Sequence, residues 1–461
     1  MIPLTLQEIA DATGGRLADA HPDTVVSGPL SFDSRAVHPG GLFACLPGTR
    51  TDGHAFAAGA VTDGAVAVLA SSPVTVPAVM VPDVTAALGD IARAVADRYT
   101  GLVLALTGSA GKTSTKDLLL HVLQLDGPTV ANVKSFNNEI GFPSTVLRTE
   151  ESTRYLVLEM GARGKGHITY LTGIARPRVS AVLNVGTAHL GEFGSREGIA
   201  EAKAEIVAAL PPAAEGGVAV LNGDDPLVRA MADKTAAKVL FFGTTPDCDV
   251  RAEDINLNGA GRLSFTLHAQ GQSAAVSPDV FGGHHITNAL AAAALALAAG
   301  VPFETVARGL EGARIVSGAR MEVTDRPDGV TVVNDAFNAS PEATRAALDS
   351  LAHLAGDRPV VAVLGEMMEL GDQAEEIHRE VGALAAARGV GRLITVGGPN
   401  TAAMATAARE AGVSTVEHVT GRDDVLPLLD GPLPPKAVIL VKGAHSLALD
   451  EIAAALATAG E

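Results

Sequence analysis

The sequence LVLALTGSAGKTSTKDLLLHVL, residues 102–123, constrains the fold more than any other part of the chain. A buried strand leads into a glycine-rich turn, then Lys112 and Thr113, then a helix. Gly108 and Gly111 let the backbone curl so that its N–H groups face an anion, and the helix N-terminus adds its dipole. Lys112 would reach the β- and γ-phosphates of a nucleotide, and Thr113 would hold Mg²⁺.

The candidate ATP-binding residues are those of this loop: Gly108, Ser109, Ala110, Gly111, Lys112, Thr113 and Ser114. The longer phosphate-loop pattern would need glycine in place of Leu106, so the chain has the shorter form TGxxGKT. The alternative interpretation is a strand-to-helix turn that uses glycine for its geometry alone. The loop by itself does not separate a kinase, a transport ATPase and a ligase.

Length and charge limit the classes of protein that remain. The 461 residues predict about three domains. A net charge of −18 without a basic stripe argues against a nucleic-acid-binding protein. Cys45 and Cys248 form no CxxC pair and are expected to be buried thiols in a reducing, cytoplasmic compartment. The N-terminus has no basic segment typical of a signal peptide, and the apolar run 289–299 is expected to be a buried helix rather than a membrane span.

Two groups of apolar strands alternate with helical patterns, which is typical of parallel sheets covered on both faces. The central group contains GLVLALTG, YLVLEMG, VSAVLNVG and VAVLNGDD, and the C-terminal group contains VTVVNDA, VVAVLGE, LITVGG and AVILVKG. The chain is therefore predicted to be an α/β protein with domains at 1–84, 85–315 and 316–461. A helix beginning near Val84, with Leu88, Ile91 and Val95 at helical spacing, would lead into the central domain.

Candidate metal ligands follow two of the central strands. Glu159 ends the run YLVLE, and His189 follows VLNVGTA. Either residue alone could be purely structural, but ligands bind at the carboxyl ends of parallel strands, and these two lie beside a phosphate loop. Lys203 lies in a predicted helix between Glu201 and Glu205, and from the residues alone it is expected to be a solvated helix charge.

Many motifs along the chain resemble, in order, those of the Mur ligases, the ATP-dependent amide ligases of peptidoglycan synthesis. The resemblance covers nearly the whole chain. It is carried by FDSRAVHPGGLFACLPGTRTDGHAFAAGAVTDGAVAVL, TGSAGKTSTKDLL, SFNNEIGFPSTVLR, LEMGARGKGHI, NVGTAHLGEFGSREGIAEAKAEI, GGHHITNALAAAA, SGARMEV, NDAFNASPEA, VLGEMMELGD and VKGAHSLALDEI. It implies a small α/β uridine-nucleotide domain, a central phosphate-loop ATPase domain and a C-terminal Rossmann-like domain.

The resemblance also implies residue roles. The UDP-linked substrate would be contacted by Ser34, Arg35, Asn137 and Asn138. Beyond the phosphate loop, the nucleotide would be contacted by Asn288, Arg320 and Asp335, the last two closing from the third domain. The catalytic residues would be Lys112, Glu159, His189 and Lys203, and the Mg²⁺ ligands Thr113, Glu159, His189 and Lys203. Lys203 matches a lysine that is carbamylated in this family, which replaces the solvated-charge interpretation.

The implied reaction activates the carboxylate of a UDP-N-acetylmuramoyl-tripeptide with ATP and transfers it to D-alanyl-D-alanine. The expected protein is a cytoplasmic monomer that uses ATP and Mg²⁺ and binds neither nucleic acid nor membrane. Asn334, His285 and His445 depart from the family pattern, as do Ala336, Phe337, Ser340 and His167. A paralogue with a different acceptor amine therefore stays open. A phosphate-loop kinase or transport ATPase would have no use for the first domain or for Lys203, and the intact Lys112, Glu159, His189 and Lys203 argue against an inactive nucleotide-binding protein.

Overall fold

A computed structural model describes residues 1–48, 51–187, 190–259, 261–431 and 433–459. The first part of the chain forms a five-stranded sheet in the order β2-β7-β6-β5-β4 and a separate strand pair, β1 and β3. Its elements are β1 Leu4–Thr5, α1 Leu6–Thr13, β2 Arg16–Ala18, β3 Val25–Val26, β4 Leu30–Ser31, β5 Leu42–Ala44, α2 Ala57–Thr62, β6 Ala67–Ala70, β7 Ala78–Met80 and α3 Val84–Ala96.

The first domain shares a hydrophobic core with the central one. A single cluster of buried side chains runs from Leu42 and Leu69, through α3, to Leu156 in the central sheet. The Ile2 N–H donates to the Thr149 carbonyl at 2.8 Å. The prediction for α3 is confirmed, because its predicted apolar positions are all buried. The two domains are therefore packed as one body.

The central domain contains a nine-stranded sheet in the order β16-β15-β14-β13-β12-β11-β8-β10-β9. The strands from β8 to β13 pair in parallel, and β14 joins them through a parallel pairing with β13; the apolar runs predicted β8, β10, β11 and β12 among these. The elements are β8 Leu102–Thr107, α4 Lys112–Gln124, β9 Thr129–Ala131, α5 Gly141–Val146, β10 Tyr155–Glu159, α6 His167–Ile174, β11 Val179–Val182, α7 Leu190–Phe193, α8 Arg196–Ala208, β12 Val218–Asn222, α9 Pro226–Arg229, β13 Lys238–Gly243, β14 Val250–Leu257, β15 Leu263–Ala269, β16 Gln272–Val276, α10 His285–Ala298 and α11 Phe303–Leu310.

Strands β14, β15 and β16 pair antiparallel and extend one edge of the central sheet. The sequence analysis did not predict this extension, because β15 alternates buried and half-buried residues instead of forming a continuous apolar run. The predicted buried helix is α10, whose residues from Ala289 to Ala296 are at most 1% exposed. Its small alanine side chains allow close packing against α4 and β12–β14.

The C-terminal domain has a six-stranded sheet in the order β17-β18-β22-β19-β20-β21, parallel except for β17. The α/β class and all eight predicted strands of the two parallel groups are confirmed. The elements are β17 Glu322–Asp325, β18 Thr331–Asn334, α12 Pro341–Ala355, β19 Val360–Gly365, α13 Ala374–Ala387, β20 Arg392–Val396, α14 Pro399–Glu410, β21 Thr415–Val419, α15 Val425–Leu429, β22 Val438–Lys442 and α16 Asp450–Thr458. The exact domain limits 1–84, 85–315 and 316–461 stay a prediction.

A buried ion pair holds the segment that leads into the third domain. The Asp117 carboxylate of α4 accepts hydrogen bonds from the N–H groups of Val316 and Ser317, at 3.1 and 2.8 Å, and from the Ser317 hydroxyl. Lys116 lies 2.5 Å from the same carboxylate and also donates to the Asn132 carbonyl. The helix that follows the phosphate loop thus fixes the start of the third domain.

Both cysteines are buried free thiols, as predicted. Within the described residues, none of the helices is long and apolar enough to cross a membrane.

Candidate active site

The phosphate loop lies at the carboxyl end of β8 and runs directly into α4. Gly111 is the residue before the helix and has φ +81, a conformation that favours glycine. The Lys112 ammonium folds back over the loop and donates to the Gly108 carbonyl at 2.8 Å. Burial of that ammonium lowers the pKa of Lys112, although nearby Glu159 acts in the opposite direction. The loop is therefore shaped for an anion that would supply counter-charge to this lysine.

Asn184, at the end of the neighbouring strand β11, holds the loop in shape. Its side-chain oxygen accepts from the Ala110 N–H at 2.9 Å, and its side-chain N–H donates to the Ala110 carbonyl at 3.1 Å. Two residues later, the Gly186 N–H donates to the Ser109 hydroxyl at 2.9 Å. The segment 184–187 and the phosphate loop are thus bonded side by side.

Oxygen atoms from adjacent strands converge beside the loop. The Thr113 hydroxyl donates to Glu159 Oε2 at 2.8 Å, and Asn137 Nδ2 donates to the other oxygen of that carboxylate at 2.6 Å. Glu159 is 1% exposed. Ser135 lies 2.9 Å from the Thr113 hydroxyl. The strand-end argument therefore placed Glu159 correctly next to the phosphate loop.

A hydroxyl and a carboxylate at a phosphate loop are hard oxygen donors, which suit Mg²⁺. Magnesium usually takes one or two carboxylates, with phosphate oxygens and water completing the shell. In the described parts of the chain, no group of three or more His, Cys, Asp or Glu side chains is arranged to hold a metal. The predicted ligand His189 lies outside the described residues. Thr113 and Glu159 thus fit a magnesium site completed by the nucleotide.

Lys203 is buried at 6% exposure, so its interpretation as a solvated helix charge is wrong. Glu201 and Glu205 lie on the outer face of α8, where they bond to Lys165 and to the Gly166 N–H. A residue two positions away points roughly to the opposite face of a helix, which carries Lys203 inward. Burial and then the charge of Lys112 both lower the pKa of Lys203 well below its usual value. Both effects disfavour the protonated form of this amine.

Asn288 of α10 contacts the phosphate loop from the far side. A Cβ at Gly111 would lie only 2.2 Å from the Asn288 side-chain oxygen, which leaves room for glycine alone. The same oxygen accepts from the Thr115 hydroxyl at 3.2 Å, and the amide nitrogen lies 3.1 Å from His285 Nδ1. Asn288 is therefore brought to the loop, as the sequence analysis expected.

The third domain closes over the loop through Arg320. Its guanidinium donates to the Ser135 hydroxyl at 2.6 Å and lies 4.2 Å from the centre of the Phe337 ring. Phe337 in turn stacks on His445, with ring centres 5.3 Å apart. Two of the positions that depart from the family pattern, Phe337 and His445, are therefore in contact with each other beside Arg320.

Asp335 is fixed within the third domain by a buried lysine. Lys442 donates to its carboxylate at 2.6 Å, and the Met321 N–H donates to the other oxygen at 3.1 Å. Across the domain boundary, Asp335 and Lys442 both act on His284 of the central domain, but burial is the main effect and lowers the pKa of His284 to about 4. Asp335 thus faces the start of α10, near Asn288.

The four residues predicted to contact the UDP-linked substrate are not brought together. Ser34 and Arg35 lie in the first domain, where Arg35 makes a two-pronged contact with Asp33 and has an 87% exposed side chain. Asn137 bonds to Glu159, whereas Asn138 accepts from the N–H groups of Ile140 and Gly141 and caps the turn into α5. The substrate contacts of these residues stay a prediction.

Reasoning from the sequence missed several residues of this site. Asn184 lies two residues after the end of β11, so the rule that ligands lie at strand ends could have found it. Lys442 ends β22 in the same way. Ser135 and Thr187 lie in loops without a motif of their own, and Glu342 resembled an ordinary acidic residue in the first turn of a helix. Only the folded chain shows that Ser135 meets Arg320, and that Thr187 meets Glu342, across the domain boundary.

A phosphate loop at the carboxyl edge of a parallel sheet, facing an arginine from a separate α/β domain, defines a nucleotide-binding protein whose site is completed by domain closure. Three family models match the chain: "Mur ligase family, catalytic domain" at 29–97, "Mur ligase middle domain" at 106–296 and "Mur ligase, glutamate ligase domain" at 319–445.

Relatives and solved structures agree with these matches over the whole length. The chain is 46% identical to the UDP-N-acetylmuramoyl-tripeptide–D-alanyl-D-alanine ligase of Mycobacterium tuberculosis, over 99% of this chain and 98% of the relative. The Escherichia coli enzyme of that name is 35% identical, with 99% of each chain covered. MurF from Acinetobacter baumannii has a similar structure, with a TM-score of 0.86, 31% identity and 99% of each chain covered. The chain belongs to the Mur ligase family.

Proposed function

We propose that the protein joins D-alanyl-D-alanine to UDP-N-acetylmuramoyl-tripeptide at the expense of ATP, within peptidoglycan precursor synthesis. The full-length identity of 46% to a curated ligase with this activity carries the proposal. The solved MurF of Thermotoga maritima was crystallised in complex with ADP, and it has a TM-score of 0.79, 27% identity, and coverage of 94% of this chain and 97% of that one. This supports nucleotide binding at the corresponding loop.

The proposed reaction has two steps. The terminal carboxylate of the tripeptide attacks the γ-phosphorus, and the bond to ADP breaks, which gives an acyl phosphate. The amine of D-alanyl-D-alanine then attacks the acyl carbon, phosphate leaves, and the amine loses a proton. Lys112 and Arg320 lie where they would offset the negative charge that both reactants bring to the phosphate loop.

Magnesium would be held by Thr113 and Glu159, with His189 as a further ligand, and would neutralise phosphate charge when bound. We infer that Lys203 reacts with carbon dioxide and becomes a carbamate. A carbamate has anionic oxygens and could ligate a second metal, whereas an ammonium would repel one. The low pKa of Lys203 supports this, because only the neutral amine attacks carbon dioxide. A nearby cation, Lys112, would stabilise the resulting anion.

Closure of the third domain would exclude water, which otherwise hydrolyses an acyl phosphate. The contact between Arg320 and Ser135 and the position of Asp335 opposite His284 support such a closed arrangement. Since the substrates are a nucleotide-linked precursor and ATP, the expected compartment is the cytoplasm. The expected form of the protein is a monomer.

The decisive experiment is coupled ADP release with a panel of muramoyl peptides and D-amino-acid dipeptides. We expect sustained release over many turnovers only when UDP-N-acetylmuramoyl-tripeptide and D-alanyl-D-alanine are both present, with the pentapeptide precursor as product. The stack of Phe337 on His445 favours one alternative, a Mur-ligase paralogue with a different acceptor. Faster turnover with another dipeptide or a depsipeptide would support that alternative. Transfer of phosphate to a stable product without any amine would indicate a kinase.

A further inference from the structure

Glu342 makes a contact that the proposed reaction does not yet use. It lies in the first turn of α12, in the third domain, but its carboxylate reaches the central domain. Oε1 accepts from the Thr187 N–H at 2.6 Å and from the Thr187 hydroxyl at 2.7 Å. These are short, charge-assisted hydrogen bonds across a domain boundary, a class about twice as strong as neutral ones.

The carboxylate is not needed to cap its own helix. The Ser340 side chain already accepts from the Ala343 N–H, and Pro341 occupies the first helical position. The second carboxylate oxygen of Glu342 is buried and has no hydrogen-bond partner among the described residues. Glu342 is half-buried, and the two hydrogen bonds from Thr187 offset part of the unfavourable desolvation of its carboxylate.

The segment that receives Glu342 is bonded directly to the phosphate loop. Asn184 binds Ala110 through both of its side-chain groups, and the Gly186 N–H donates to Ser109. The same segment continues toward His189, the predicted metal ligand. A change in the position of Thr187 would therefore be transmitted to both the phosphates and the metal.

Gly186 leaves just enough room for this contact. A Cβ at that position would lie 2.7 Å from the Glu342 carboxyl carbon and 2.8 and 3.1 Å from its two oxygens. The Glu342 carboxylate is thus packed against the backbone at Gly186 in addition to its hydrogen bonds with Thr187. A side chain at residue 186 would push the Glu342 carboxylate out of this position.

We propose that Glu342 is a positioning residue: when the third domain closes, it fixes segment 184–187 and thereby sets the phosphate loop for phosphoryl transfer. Because the contact joins the two domains, opening of the third domain would break it, so it would favour the transition state over substrate binding to the open protein. The inference rests on the proposed function where it is tested by the rate of ADP formation, but not where it is tested by the affinity for Mg²⁺–ADP.

The test compares Glu342→Ala, Glu342→Gln and Thr187→Val with Arg345→Ala as matched control. Arg345 lies on the same helix and pairs with Glu380 inside the third domain. In single-turnover ADP formation, we expect Glu342→Ala to lose about tenfold to a hundredfold in rate, the range for a lost charge-assisted hydrogen bond. Glu342→Gln keeps a neutral acceptor and should lose less. The affinity for the UDP-linked substrate should not change.

A second readout does not depend on the reaction. Mg²⁺–ADP affinity, measured by calorimetry, should fall in Glu342→Ala and not in Arg345→Ala, and Thr187→Val should add little to Glu342→Ala. If wild type binds ADP but transfers no phosphate to the muramoyl peptide, the proposed function fails while this inference survives. Equal ADP affinity and equal rates in Glu342→Ala, Glu342→Gln and Arg345→Ala would overturn the inference. If the alanine variant does not fold, Glu342→Gln and Thr187→Val decide between these outcomes.

Discussion

Replacing Lys203 with methionine should stabilise the protein and abolish its turnover. Methionine fills a similar volume without a charge, so packing in the buried site should be preserved. The two effects that act on the Lys203 amine, burial and the repulsion of Lys112, both disfavour its protonated form. The folded protein therefore binds fewer protons at this position than the unfolded chain does.

The size of the effect follows from that proton. An unfolded lysine has a pKa of about 10.4, and each unit by which the folded environment lowers that pKa costs about 1.4 kcal/mol of stability at pH values below the folded pKa. Because the unfolded state binds more protons, the stability of wild type rises with pH toward the unfolded pKa. At pH 9.5, closer to the unfolded pKa, the cost is smaller than at pH 7.5. The Lys203→Met variant lacks this proton and should show no such dependence.

The assay is urea unfolding of both proteins in buffer freed of carbon dioxide, at the two pH values. Lys203→Met should be the more stable at pH 7.5, and the difference should shrink at pH 9.5. Bicarbonate should raise the unfolding midpoint of wild type alone, since a carbamate replaces repulsion from Lys112 with attraction. The reasoning would be refuted if Lys203→Met were less stable than wild type by the same free energy of unfolding at both pH values. It would also be refuted if the variant turned over at the wild-type rate.

Three further changes test other parts of the site. Lys112→Ala should abolish ADP release and leave the calorimetric affinity for the UDP-linked substrate unchanged; any retained turnover would contradict its role. Arg320→Ala should lower kcat more than that affinity, and X-ray scattering of wild type should show compaction when nucleotide and substrate are added, an effect that a constant radius would exclude. Asp117→Ala leaves Lys116 buried without its partner and should cost about 3–5 kcal/mol in urea unfolding. A loss as small as that of Asp247→Ala, which removes an exposed ion pair, would show that the buried pair does not hold the interdomain segment.

Local patterns were enough to predict most of the fold. The parallel strands that precede Gly108, Glu159 and Asn334 are continuous apolar runs, and such runs have few alternatives to a covered parallel sheet. The antiparallel edge β14–β16 escaped prediction because its alternating pattern is half exposed and depends on pairing between strands. The phosphate loop could be predicted in full, because its chemistry lies within a few consecutive residues.

The rest of the site depends on long-range contacts that no local pattern encodes. Lys203 shows this most clearly: its neighbours Glu201 and Glu205 indicated a solvated helix, and only tertiary packing shows which face is buried. Glu342 and Thr187 are 155 residues apart and meet through domain closure. Ser34 and Arg35 gained their predicted role from resemblance alone, and the geometry of the folded chain adds no contact that explains it.

The shared core of the first two domains holds them at a constant separation. Because α3, the Ile2–Thr149 hydrogen bond and the ion pair between Arg98 and Glu8 join the domains rigidly, the distance from the first domain to the phosphate loop is fixed. For a UDP-linked substrate whose nucleotide end is held by the first domain, as predicted, the peptide must then span that distance. One residue fewer would leave the carboxylate short of the γ-phosphate, by about 3.3–3.6 Å for an extended chain. The protein would therefore select the length of the peptide through this distance, independently of any contact with the side chains of the peptide.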